Sequence, residues 1–167
     1  MSAYFDDKTI ADFLRRSYFA VDGLWFVKTE EKRSFEDALE LDNAVWRIMP
    51  KIQARKAREL LGIDGCTLDD LLACLELKFS SEGYNYEINK LSDKEAEIVI
   101  SACPWHSILV KSGRDSSAAA VADVICSSEF NGWSDEFSGH FTPVIKERLC
   151  DGGSKCIVGF ILSHRKD

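Results

Sequence analysis

"YNYEINKLSDKEAEIVISAC", residues 84–103, is where the chain changes its period. "YNYEINKL" and "EAEIVISAC" alternate apolar and polar side chains like two strands, and the short "SDK" between them is turn-sized. Ala96, Ile98, Ile100 and Ala102 fall on one face of the second strand, with Glu95, Glu97, Val99, Ser101 and Cys103 on the other. An antiparallel hairpin follows, half covered and half exposed.

N-terminal to this hairpin the spacing is helical. Ile10, Phe13, Leu14, Tyr18, Val21, Leu24 and Trp25 recur every three or four residues, so 9–31 reads as an amphipathic helix. Its apolar face is explained equally well by burial in its own domain or by a homodimer interface. Ser34, with Asp37 three residues on, caps a second helix that ends near Gly62. Ala38, Leu41, Val45, Ile48, Met49 and Ile52 share one face of it, and Pro50 predicts a kink around Trp46 to Pro50. A third helix is expected from Thr67 to about Phe79, where "SSEG" breaks it.

C-terminal to the hairpin, a short helix from Pro104 to Lys111 and a longer one from Ser116 to Phe137 precede a second hairpin around "DGGS". The expected fold is therefore α+β: N-terminal helices packed on an antiparallel sheet of two hairpins, which are separated by helices. Its 167 residues suit one domain, with a helical part over about 7–80 and a sheet-and-helix part over about 83–165.

Composition bounds the function classes. A net charge of −7, from 28 acidic and 21 basic residues, repels phosphate backbones; the basic stripe "KIQARKAR" (Lys51–Arg58) has acidic neighbours, so no nucleic-acid partner is expected. No apolar run reaches the roughly 20 residues of a membrane span, and the acidic start "MSAYFDDKTI" does not read as a secretory signal. The expectation is a cytoplasmic protein with no membrane partner.

Six cysteines in such a chain raise metal or thiol chemistry. Cys74 sits in an apolar run and reads as core. Cys103 precedes Pro104, a favoured first helical residue, so it is the expected N-cap of the short helix, where the helix dipole favours thiolate. His106 lies one turn on, and thiol with imidazole can form a nucleophile and base. Cys126 shares a helix face with Glu129, Phe130 and Trp133, while Cys150 and Cys156 flank the last turn. Cys103, Cys126, Cys150 and Cys156 are thus candidate ligands for zinc or an iron–sulfur cluster, although no two lie as close as in common metal motifs. A Cys150–Cys156 disulfide and separate core thiols are the alternatives. Cys103, His106 and Glu129 are the candidate catalytic residues. Trp25, Asp42, Trp46 and Trp133 are candidates for an aromatic, ligand-sized pocket. His140 and His164 are expected to face solvent.

The stretches "DGLWFVKTEEKRSFEDALELDNAVWRIMPKIQARKARELLGI" and "CPWHSILVKSGR…VICSSEFNGWSDEF…LCDGGSKCIVGF" resemble a group of bacterial and archaeal proteins allied with L-2-amino-thiazoline-4-carboxylic acid hydrolases. Their layout is also similar to vinyl-reductase-type ligand-binding domains. The resemblance implies a strand-end cysteine, a helix cysteine followed by an acid, and a cysteine by the last strand, here Cys103, Cys126 with Glu129, and Cys156. Hydrolases of that group open a small sulfur-containing ring with water; the "CPWH" run departs from their pattern.

Three functions follow as expectations. The first is a domain binding a small-molecule ligand or substrate beside a cysteine-rich zinc or iron–sulfur site. The second is a small-molecule hydrolase acting on a thiazoline-like or related sulfur/nitrogen compound. The third is a non-catalytic sensor or adaptor with an aromatic pocket.

Overall fold

A computed structural model describes residues 4–138 and 140–163. The elements run α1 (Asp7–Lys32), α2 (Phe35–Trp46), α3 (Met49–Leu61), α4 (Leu68–Glu82), β1 (Asn85–Ser92), β2 (Glu95–Ala102), α5 (Pro104–Lys111), α6 (Ala118–Glu136), β3 (Phe141–Glu147) and β4 (Cys156–Leu162), with 3₁₀ turns before α6 and β4. The chain is α+β, as its changing period indicates. It divides into two compact units, Met1–Asp42 and Asn43–Asp167.

In the first unit, the Asp6 carboxylate caps α1 by accepting from the Thr9 N–H, and Phe26 packs edge-on to Phe35 at 5.8 Å. The Ser34 hydroxyl accepts from the Asp37 N–H at 3.1 Å, capping α2 as expected. On α1, Phe13, Leu14, Val21, Leu24 and Trp25 of the face read as apolar are exposed, and Phe19 is buried.

The second unit carries the core. The expected kink is a full break: α2 stops at Trp46, and α3 restarts with Pro50 in its first turn, where the missing N–H costs nothing. The inward face here is also different from the one expected. Trp46, Pro50, Ala54 and Ala57 are buried, whereas Val45, Ile48 and Ile52 are about half exposed. Gly62 ends α3 in the left-handed conformation at φ 65°, open to glycine at no steric cost. A capping box between Thr67 and Asp70 starts α4, which runs three residues beyond Phe79 to Glu82.

The sheet order is β1-β2-β4-β3, antiparallel throughout, so the two hairpins join through β2 and β4. Ile98 sits opposite both Ile88 and Val158, Ala96 opposite Phe160, and Ile145 opposite Val158. These residues make one apolar face, which clusters with Leu71, Leu75 and Phe79 of α4 and Phe130 and Trp133 of α6. Ala102, expected on that face, is exposed at the strand end.

The basic stripe of α3 is spent within the unit. Arg55 grips Glu136 with two bonds of 2.8 and 2.6 Å, and Lys51 pairs with Asp135 at 2.9 Å. Arg58 donates to the backbone carbonyls of Asp64 and Glu136. These contacts hold α3 against α6, close enough that a Cβ on Gly132 would sit 2.9 Å from the Pro50 ring. No helix among the described residues is long and apolar enough to cross a membrane.

Candidate functional site

The strand-to-helix corner forms as expected. Cys103 is the N-cap of α5 in extended backbone, with Pro104 following. Burial raises its pKa, and this outweighs the opposing hydrogen bonds from the His106 backbone N–H and the Tyr84 hydroxyl and the nearby Lys78 charge. The helix end therefore does not yield a thiolate, contrary to expectation, because the sulfur has lost more hydration than the local donors return. The contact from His106 to this thiol comes through its backbone N–H.

Cys103, Cys126, Cys150 and Cys156 do share one neighbourhood: charge on any of the other three would raise the pKa of Cys126. Burial dominates in each. It lifts Cys126 well above its usual range, and with the neighbouring Cys103 and Cys156 it pushes Cys150 up to about 12. The Leu149 N–H donates to Cys156 Sγ at 3.3 Å, and all six cysteines are free thiols, so the Cys150–Cys156 disulfide is not formed. Among the described residues no group of three or more His, Cys, Asp and Glu side chains can hold a metal ion.

Beside the thiols lies a feature the sequence reading missed. Lys78 of α4 is buried between two buried carboxylates, 2.5 Å from Glu129 Oε1 and 3.3 Å from Glu82 Oε2. Its ammonium also sits 4.8 Å from the Phe79 ring centroid and 4.6 Å from that of Tyr84. Burial works to lower its pKa, but Glu129 and Glu82 together raise it above the ordinary lysine value. Glu82 is further held by Gln53 Nε2 at 3.1 Å and Trp105 Nε1 at 3.2 Å. Burial raises the Glu129 pKa against the pull of Lys78. Glu129, expected as a proton carrier, is thus half of a buried ion pair. A signal was present: Leu71, Leu75, Lys78 and Glu82 follow a 4-3-4 spacing, which puts two charges on an apolar stripe.

The proposed aromatic pocket divides differently. Trp46 packs edge-on to Trp105 at 5.4 Å. Trp133 is fully buried in the core, where its indole N–H has no acceptor among the described residues. Trp25 is exposed on α1, and Asp42 is half-buried at the end of the first unit. His140 is half-buried before β3, and His164 lies outside the described residues. A groove of about 550 Å³ between α4 and β1 is lined by Asp69, Leu72, Ala73, Glu76, Tyr86 and Ile88, none of them a candidate from the sequence.

The whole fold is similar to trafficking protein particle complex subunit 3 from Naegleria fowleri, in a crystal structure covalently bound to palmitic acid. The TM-score is 0.57 at 14% identity, over 95% of this chain and 98% of that one. That neighbour is described as a subunit of a trafficking complex. Together with the missing ligand set, it corrects the readings of a cysteine-rich zinc or iron–sulfur domain and of a hydrolase-like protein. No curated protein matches the chain. One family model does, over residues 7–134, most of the chain's length, and on that match the chain belongs to the family of unknown function DUF6125.

Proposed function

We propose that this protein is a non-catalytic adaptor, a subunit that works by holding other proteins in an assembly. The observation that carries the reading is the shared fold, end to end, with a subunit of a multi-protein trafficking complex. The chemistry of the thiol corner agrees. Its thiols are held protonated by burial, and its one buried ammonium is neutralised by two carboxylates, leaving neither an activated nucleophile nor a poised base. The reading takes from the neighbour its membership in a complex and leaves the fatty acid with that protein, since protonated thiols are poor acyl acceptors. A cytoplasmic location suits such a subunit.

The test is capture of the tagged full chain at native expression from cross-linked source cells, followed by native mass measurement. A defined, stoichiometric set of other proteins is expected, retained in a Cys103→Ser variant. Recovery of this chain alone, or of a partner set lost with that thiol, overturns the adaptor reading.

A further inference from the structure

The two outer strands of the sheet are not equivalent. β3 carries Pro143, which has no N–H to offer, and its register shifts between Ile145 and Glu147, so its edge is blunted. β1 has neither device over Tyr86–Lys90, which lie in unbroken register against Ile100–Ala96 of β2. Alternate residues of such a strand turn their N–H and C=O groups away from their one neighbour. Among the described residues, no backbone–backbone bond beyond the β1–β2 ladder uses Tyr86–Lys90. Beside this edge, on the core-facing side of β1, lies the groove of about 550 Å³ whose other wall is α4. No residue of β2 lines it, and both walls belong to the second unit, so its shape is set within that unit. Tyr86 is a fixed part of the wall: its ring packs 5.3 Å from that of Phe79, and its hydroxyl donates to the Glu76 carbonyl at 3.2 Å and pairs with the Ser80 hydroxyl at 2.7 Å.

We infer that an extended, basic segment of a partner protein adds to β1 as a fifth strand, with every second side chain in this groove; this rests on the adaptor reading and specifies what such a subunit holds. Strand geometry fits. A strand added about 4.8 Å beyond β1 sets alternate side chains over Leu72, Ala73 and Ile88, while its backbone takes up the free edge. Charge chooses the occupant. At one end of the groove Lys90 is already spent, reaching from β1 to Asp69 at 2.8 Å and to Asp93 at 3.0 Å. Glu76 on α4 and Glu87 on β1 are both exposed and have no cationic partner among the described residues. A lysine beside Glu87 on the outer face of the sheet makes a cross-strand pair of opposite charge, and a basic residue at the end of the groove reaches Glu76. A second copy of this chain, itself at −7, brings the wrong sign to this edge.

The pure full chain suffices for the test, so the two readings fail separately: peptide binding without recovered partners removes the adaptor reading, and recovered partners without peptide binding remove this site. The probe is a dye-labelled nonapeptide of alternating lysine and valine, compared with its glutamate counterpart and with a version N-methylated throughout, which cannot donate to the β1 edge. By fluorescence anisotropy the lysine peptide is expected to bind at least about tenfold more tightly than either, and more weakly as salt is raised. Glu76→Lys with Glu87→Lys is expected to weaken binding at least about tenfold with unchanged helix content by circular dichroism. Glu59→Lys with Asp64→Lys, which alters net charge equally at exposed positions away from the groove, is expected to weaken it far less. Amide hydrogen exchange over Asn85–Ser92 is expected to slow with peptide bound. No binding at 1 mM, equal binding of the glutamate or N-methylated peptide, or protection that spares Asn85–Ser92 each overturns the proposal. If the 76/87 variant loses helix content, the N-methylated peptide and the exchange pattern decide.

Discussion

Replacing Lys78 with methionine removes the ammonium between Glu82 and Glu129 while keeping most of the side-chain volume. Glu82 retains its donors from Gln53 and Trp105. Glu129 loses the ammonium at 2.5 Å and is left in a site where burial already raises its pKa. The cheapest response is to take up a proton. From the ordinary value of 4.5, holding that proton at pH 7 costs about 3 kcal/mol, at about 1.4 kcal/mol per pH unit. At pH 5 the same step costs about 1 kcal/mol or less. The sign follows from linkage. Above pH 4.5 the unfolded chain has released this proton and the folded variant has not, so stability falls as pH rises. Urea unfolding of Lys78→Met at pH 5 and pH 7, against the parent chain, measures both numbers. The double variant Lys78→Met/Glu129→Gln has no proton to recruit and is expected to regain most of the pH 7 loss. A deficit that is the same at both pH values, or one the glutamine does not relieve, refutes the assignment of Glu129 as the stranded charge.

Three further outcomes are expected. In the parent chain the contribution of Lys78 is complete below its unfolded value of 10.5 and is lost as pH climbs through the raised folded value, so alkaline unfolding should begin later in the parent than in Lys78→Met; coincident alkaline transitions contradict this. Gly132→Val should lower stability by about 2 kcal/mol or more, because its Cβ meets the rigid Pro50 ring at 2.9 Å; a neutral result would mean that α3 and α6 separate freely. Iodoacetamide at pH 8 should label Cys103 and Cys126 at least about tenfold more slowly in the folded chain than in urea, given their burial; equal rates would show the thiols to be open and ionised.

What the sequence disclosed depended on how local the cause was. Thr67 with Asp70, Gly62, and the alternation of 95–100 act through neighbours a few residues away, and each marks its element in the structure. Periodicity in α1 and α2 identified which residues share a face, but not which side is covered, since that is decided by chain far away. Leu14, Val21 and Leu24 share one face of α1 and are all exposed, while Phe19 is buried. Cys103, Cys126, Cys150 and Cys156 do lie near one another. Proximity is less than coordination, however, and the spacing of cysteines along the chain carries no information about the angles between sulfurs. Lys78 is not legible from its immediate neighbours, because an i, i+4 pair with Glu82 looks like an ordinary surface pair unless Leu71 and Leu75 on the same stripe are weighed with it.

The sheet order has a consequence for how the chain is made. β2 is completed near residue 102, yet its second neighbour, β4, spans Cys156–Leu162 and lies between β2 and β3. While the intervening stretch leaves the ribosome at roughly 5–20 residues per second, Ala96, Ile98 and Ile100 wait for several seconds on an unpaired edge. The first of the two late strands, β3, begins only at Phe141. A nascent chain paused there exposes a sticky β-edge, which is the surface a chaperone would have to shield first.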